Sequence, residues 1–217
     1  MPAFPEHLLS GYQTFVSHRL PTEQSRYREL SQKGQSPEVM VIGCCDSRVS
    51  PEVIFDAGPG ELFVVRNVAN LVPVFQPDGN AHGVSAALEY ANQVLKIKHI
   101  VVLGHAQCGG IRAFVDDSAP LSPGDFIGKW MSMFVKPGET VSQRDHETMQ
   151  QFVTRIEKAA ILRSIENLMT FPFVKNRVES GELHLHGAYF GVAEGSLSIV
   201  DQSTNEFSRV YHSSLVS

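Results

Sequence analysis

The sequence predicts an α/β fold: a mostly parallel central β-sheet flanked by helices, in one domain over residues 1–217, with an N-terminal helical arm at 1–34. Three observations carry this. Short apolar runs rich in β-branched residues recur along the chain, each bounded by turn formers, as buried strands are. Between them lie stretches with apolar residues at helical spacing. Strands that alternate with helices in this way make a parallel sheet covered on both faces. A chain of 217 residues has room for one such domain, or at most two small ones.

The elements follow in order. Residues 5 to about 33 are polar and helix-forming, as in Tyr27-Arg-Glu-Leu-Ser-Gln-Lys33, with few apolar anchors and an expected break at Pro21. Such an arm buries little by itself, which points to packing on another surface such as a second subunit. Val39-Met-Val-Ile-Gly43 reads as the first strand and Leu62-Phe-Val-Val65 as the second. Val84, Leu88, Ala91 and Leu95 then form one stripe of an amphipathic helix. Ile100-Val-Val-Leu-Gly104 is the third strand. Met149, Phe152, Ile156 and Ala159 mark a long helix that ends near Met169, before Pro172. His184 to Gly191 is a fourth strand, and Leu197–Val200 a fifth after the Glu194-Gly195 turn.

Composition narrows the function classes. With 42% hydrophobic and 19% charged residues the chain is globular rather than disordered. A net charge of −5 with no basic tract argues against nucleic acid or an anionic membrane surface as partner. The longest apolar runs, around Val39–Cys45 and Ile100–Gly104, fall far short of the ~18–20 residues of a spanning helix. The opening Met-Pro-Ala-Phe-Pro-Glu-His shows neither a basic n-region nor an apolar h-region, so the expected location is cytoplasmic. Three cysteines in such a chain point to metal or catalytic use rather than a disulfide framework.

Two strands end alike: the first runs into Cys44 and the third into His105. Ligands of open parallel sheets gather outside the carboxyl ends of the strands. If these two strands are neighbours, Cys44 and His105 emerge at one rim, and Cys108 follows across a turn leading into Gly109-Gly110. Two thiolates and one imidazole suit zinc, and three protein ligands leave a tetrahedral position open, as in catalytic rather than structural sites. Asp46-Ser47-Arg48 adds a carboxylate that can orient a ligand at the open position, and a guanidinium that can hold that carboxylate ionised. Alone, Asp46 and Ser47 would read as a helix cap; beside a metal ligand the functional reading is the stronger. His184 and His186 share a strand face and read as satisfied core or surface residues. His146-Glu147 lacks a second His four residues on, where Gln150 stands, so no zincin motif exists. Cys45, pointing away from Cys44, reads as a packed small residue.

Cys44-Cys-Asp-Ser-Arg48 and His105-Ala-Gln-Cys108-Gly-Gly together resemble the C-x-D-S-R and H-x-x-C-G-G motifs of the β-class carbonic anhydrases, at the spacing usual there. The resemblance is close over residues 35 to 115 and extends to the order of elements along the whole chain. It implies one zinc ion per subunit on Cys44, His105 and Cys108, with Asp46 and Arg48 as catalytic pair. It further implies a carbon dioxide pocket lined by Gln35, Phe63, Val68, Tyr90 and Gly109, the Gln35 amide reaching in from a neighbouring subunit. Reversible hydration of carbon dioxide to bicarbonate by zinc-bound hydroxide is the implied reaction, in a homodimer or a higher even-numbered homo-oligomer. Val41 and Phe190 stand where one subtype carries the Trp and Tyr of an inhibitory bicarbonate site, which implies the plant-like, non-inhibited subtype. Two other readings stay open: a hydrolase of carbonyl sulfide or carbon disulfide on the same scaffold, and a non-catalytic zinc-stabilised scaffold. His82, His99 and His212 are conceivable proton shuttles that nothing in the sequence ranks.

Overall fold

A computed structural model describes residues 4–116, 120–135 and 140–211, so His212 lies outside the described residues. Six strands form one sheet in the order β2-β1-β3-β4-β5-β6. Strands β1 (Val39–Cys44), β2 (Leu62–Asn67), β3 (His99–His105) and β4 (His184–Gly191) are mutually parallel. The fifth, β5 (Ser196–Val200), and the sixth, β6 (Phe207–Arg209), add antiparallel at one edge, so the sheet is mixed. The cause is local. The link between β4 and β5 is a tight turn with Gly195 at φ 60°, and a turn that short can only fold the chain back on itself. With three residues, β6 is too short for its hydrophobic pattern to announce it.

Helices α1 (Glu6–Thr14) and α2 (Leu20–Lys33) make the arm. The break expected at Pro21 is instead a widened π-turn over Phe15–Arg19, after which Pro21 occupies the first turn of α2. Proline has no N–H to give to the preceding turn, and the helix absorbs the loss by loosening upstream rather than by stopping. After β1 comes α3 (Pro51–Ile54). After β2 comes α4 (Gly83–Tyr90), which continues as a π-turn over Ala91–Leu95. Beyond β3 lie α5 (Gly109–Val115), α6 (Phe126–Ser132), α7 (Met149–Leu168) and α8 (Pro172–Glu179).

The long helix α7 begins at a capping box, Thr148 with Gln151, and lies across β3 and β4. Met40, Ile42, Ile100 and Val102 of the strands and Ile161 of the helix are wholly buried in one cluster. Gly104 is what lets α7 sit so close, because a Cβ there would lie 2.7 Å from Ile161 Cδ1. The opposite sheet face is less covered in the single chain than two full helical layers would make it. Val41, Leu103 and Ala188 are buried there, while Val39, Val64 and Val101 are only partly so. Among the described residues no helix is long and apolar enough to cross a membrane.

Candidate metal centre

Because β1 and β3 are parallel neighbours, Cys44 and His105, their last residues, emerge together at the carboxyl rim. Cys108, the residue before α5, joins them. The donor atoms of Cys44, His105 and Cys108 all lie within 4.8 Å of one another, the two sulfurs 4.0 Å apart, and all three residues are buried. His105 Nδ1 bonds the Ala106 carbonyl at 2.9 Å. A carbonyl can only accept, so the proton sits on Nδ1 and the Nε2 lone pair is left free. Nε2 is buried with no hydrogen-bond partner, a state a protein tolerates where something else binds the atom. Two soft sulfurs and one neutral imidazole of this geometry fit zinc.

Electrostatics at the rim favours a sulfur anion. The hydrogen bond from Cys108 pulls the Cys44 thiol well below its ordinary range, with backbone N–H groups of Asp46 and Ala69 adding to the effect. The same contact, then burial, pushes Cys108 up, so the two sulfurs titrate as a pair. Burial opposes a charge on His105, and the neighbouring Cys44 sulfur outweighs it, raising the imidazole.

Asp46 stands just outside the donor set, with Oδ2 3.9 Å from His105 Nε2. Arg48 holds it there: Nε donates to Oδ1 at 2.9 Å, Nη2 to Oδ2 at 2.6 Å, and the backbone N–H to Oδ1 at 3.0 Å. Those hydrogen bonds keep the Asp46 carboxyl far below the usual carboxylate range. Arg48 is itself anchored by the Gln107 carbonyl, 3.1 Å away.

Three residues that sequence reasoning missed build the support. Arg66, at the end of β2, donates to the carbonyls of Cys44 (2.8 Å) and Asp46 (2.7 Å) and so fixes the turn that carries both. Its signal was a charge at the end of an apolar strand. Glu157 of α7 accepts the Cys108 N–H (2.9 Å) and the Tyr189 hydroxyl (2.7 Å), and burial raises its carboxyl. A glutamate four residues from both Val153 and Ile161, on the buried stripe of the helix, was the readable clue. Trp130 of α6 donates to the Val68 carbonyl at 2.7 Å, steadying the loop whose Ala69 N–H faces Cys44. Nothing in the local sequence foretells that bond.

The pocket residues divide. Val68 packs in the cluster that contains Cys44 and Cys108, and its Cγ1 would lie 2.5 Å from a Cβ on Gly110. Gly109 opens α5 beside Cys108, with nothing within 4 Å of where its side chain would be. Phe63 pairs with Tyr90 (ring centroids 6.0 Å) opposite Met40, four residues upstream of Cys44 and thus about 13 Å along the strand. Gln35 is exposed at the far end of β1. Within one chain, then, Gln35, Phe63 and Tyr90 do not join the donor set. Cys45 also differs from expectation: alternation does turn it away from Cys44, but its thiol is exposed, uncovered by any element among the described residues.

Three converging donors with a carboxylate tethered beside them, at the carboxyl rim of an open α/β sheet, define a metal-dependent enzyme in which Cys44, His105 and Cys108 would hold the ion and supply three of its ligands. The sequence profile of the carbonic anhydrase family matches residues 39–197. The chain is 34% identical over 198 residues to beta carbonic anhydrase 3 of Arabidopsis thaliana, covering 89% of this chain and 76% of that one. Solved structures agree: the β-carbonic anhydrase CcaA superposes with TM-score 0.85 at 27% identity, over 94% of this chain and 98% of that one. The Coccomyxa β-carbonic anhydrase, solved with acetazolamide, gives 0.76 at 29%, over 90% and 86%. A tetrameric β-carbonic anhydrase of Sordaria macrospora gives 0.73 at 27%, over 89% and 95%. The chain belongs to the β-class carbonic anhydrases.

Proposed function

We propose that the chain catalyses the reversible hydration of carbon dioxide to bicarbonate and a proton, with one zinc ion per subunit on Cys44, His105 and Cys108. The observation that carries this is the separation of roles at the rim: three donors converge while Arg48 keeps Asp46 outside the set. Zinc bound there would supply a Lewis-acidic open position at which water becomes a nucleophile near neutral pH. Asp46, held ionised, accepts a hydrogen bond from the nucleophile and aims it. Arg48 keeps that carboxylate from turning inward, Val68 gives an apolar wall for a nonpolar triatomic substrate, and the bare Gly109 leaves it room. Substituting Asp46 by Ala with zinc content unchanged is the test. Hydration should be abolished, and undiminished turnover would favour a non-catalytic scaffold. That scaffold reading, and the carbonyl sulfide or carbon disulfide hydrolase, find no support among the relatives named above, all of them carbonic anhydrases.

The same proposal includes a homodimer or a higher even-numbered homo-oligomer. Gln35, Phe63 and Tyr90 lie too far from their own chain's donors and would complete a partner's pocket. The arm exposes Leu8, Leu9, Tyr12 and Val16, and the second sheet face is half covered, which suits a second copy. The Sordaria relatives are tetrameric. The plant-like subtype is supported by Val41 and Phe190, which pack with Leu103 and Ala188 and leave apolar filling at that place. A cytoplasmic location accords with the free thiols of Cys44, Cys45 and Cys108.

A further inference from the structure

We propose that His99, His184 and His186 form a second metal site, for a borderline divalent ion such as Zn2+ or Co2+, at the end of the sheet opposite the catalytic rim. His99 opens β3 and His184 opens β4, and the two are paired in register. His186, two residues on, projects from the same face. Since β3 runs from His99 to His105, about 20 Å separates this cluster from the catalytic donors.

The ring spacing, and the nitrogens of one pair, approach those of a metal-binding cluster. The ring centroids of His99 and His186 are 5.2 Å apart, and those of His99 and His184 5.4 Å. With Zn–N bonds of about 2.0–2.1 Å and tetrahedral angles, imidazole centroids around one ion lie about 5 Å apart and their nitrogens about 3.3 Å apart. His99 Nδ1 and His186 Nε2 are 3.1 Å apart, so two of the three nitrogens already stand at the required bite. The third ring, His184, is exposed and stacked on His99 at 26°, and to join the other two it would have to turn about its side-chain bonds.

The close pair is now an N–H···N hydrogen bond. For an ion to take both lone pairs, the ring that holds the shared proton moves it through solvent to its other nitrogen, with no net proton lost. Burial, then the two neighbouring imidazoles, lowers the basicity of His186, which keeps it in the neutral form that ligates. Among the described residues, Cys44, His105 and Cys108 are the set whose three donor atoms already meet. The histidine site therefore fills second and more weakly.

The test uses the zinc-loaded enzyme, cleared of loose ions on a chelating resin and dialysed to equilibrium against micromolar free Zn2+, with metal counted per chain by mass spectrometry. Two ions are expected for the native protein and one for His99→Ala and for His186→Ala. The conservative His184→Gln variant should weaken the second ion at least about tenfold, the lower bound for disturbing a metal's surroundings. Replacing the second ion by Co2+ should add visible ligand-field bands without sulfur-to-cobalt charge transfer, which separates it from the cysteine site. Unaltered carbon dioxide hydration in His184→Gln and His186→Ala would show the catalytic centre intact. A native protein that saturates at one ion per chain, or a second ion held equally well by the variants, overturns the proposal.

Discussion

Replacing Arg48 by Ala isolates the tether on Asp46. Two charge-assisted hydrogen bonds to the carboxylate are lost, at 2.9 and 2.6 Å, while the backbone N–H bond of residue 48 survives. Sheltered, hydrogen bonds to charged groups contribute about 1.5–3 kcal/mol each. The Arg48 side chain is 44% exposed, so solvent screening leaves only a small part of that, enough to weaken the preference of Asp46 for its present orientation by up to about fivefold. Once released, the carboxylate has only a short way to turn before it becomes a fourth donor, since Oδ2 is already 3.9 Å from His105 Nε2. Stopped-flow hydration should therefore slow, by up to about fivefold, and zinc-edge X-ray absorption should report an added carboxylate oxygen. Arg48→Lys should restore only part of the rate, because an ammonium cannot present two parallel donors. Native turnover in Arg48→Ala, or lost turnover with an unchanged ligand set, would refute the reasoning.

Other substitutions probe the support around the donors. Gly110→Ala places a Cβ 2.5 Å from Val68 Cγ1, and overpacking of this kind costs about 1–3 kcal/mol. Its urea midpoint and turnover should fall together, and a variant of native stability would count against the tight contact. Glu157→Ala leaves the buried Cys108 N–H and Tyr189 hydroxyl without an acceptor, at about 1–3 kcal/mol for each group. It should release zinc to a chelator faster than Glu157→Gln, which keeps an acceptor oxygen; equal rates would sink the idea. Far from the site, the Arg155 hydrogen bonds hold the Glu147 carboxyl down to about 2. A depressed carboxyl contributes stability that is complete above its unfolded pKa and is lost as the pH falls through the folded one. The difference in urea midpoint between the native protein and Glu147→Gln should thus be flat above about pH 5 and shrink from about pH 4.5 toward 2. A difference that does not change with pH would mean that the ion pair contributes nothing.

The catalytic rim was legible because its signals are local. Gly43 before Cys44 and Gly104 before His105 end two apolar runs in the same way, and parallel pairing of the two strands does the rest. Asp46 and Arg48 meet within a single turn, so their partnership could be read from adjacent letters. Arg66, Glu157 and Trp130 act across 22, 49 and 62 residues of chain, and no short window contains both ends of such a bond. The antiparallel edge was half legible: the Glu194-Gly195 turn was in view, but its length had to be used to reverse β5. Cys45 was misread because alternation gives direction without saying what lies there. Phe63 and Tyr90 pose the inverse problem, since their motif neighbourhood suggests a pocket that the register of β2 puts out of reach within the same chain.

The parallel pairing of β3 with β1 and β4 also explains how the chain can keep its metal chemistry in order. The strand β3 carries a histidine at each end, His99 and His105, and the residues gathered around them differ in kind. At the carboxyl rim the second and third donors are sulfurs, lent by β1 and by the residue before α5, and backbone and Glu157 hydrogen bonds fix them before any ion arrives. At the amino end the companions are imidazoles on β4, one of them still stacked and unfixed. Thiolates hold a borderline ion more strongly than imidazoles do, and fixed donors lose less freedom than mobile ones on binding. Limiting zinc is therefore directed to Cys44, His105 and Cys108, and it reaches the histidine end only when the supply exceeds one ion per chain.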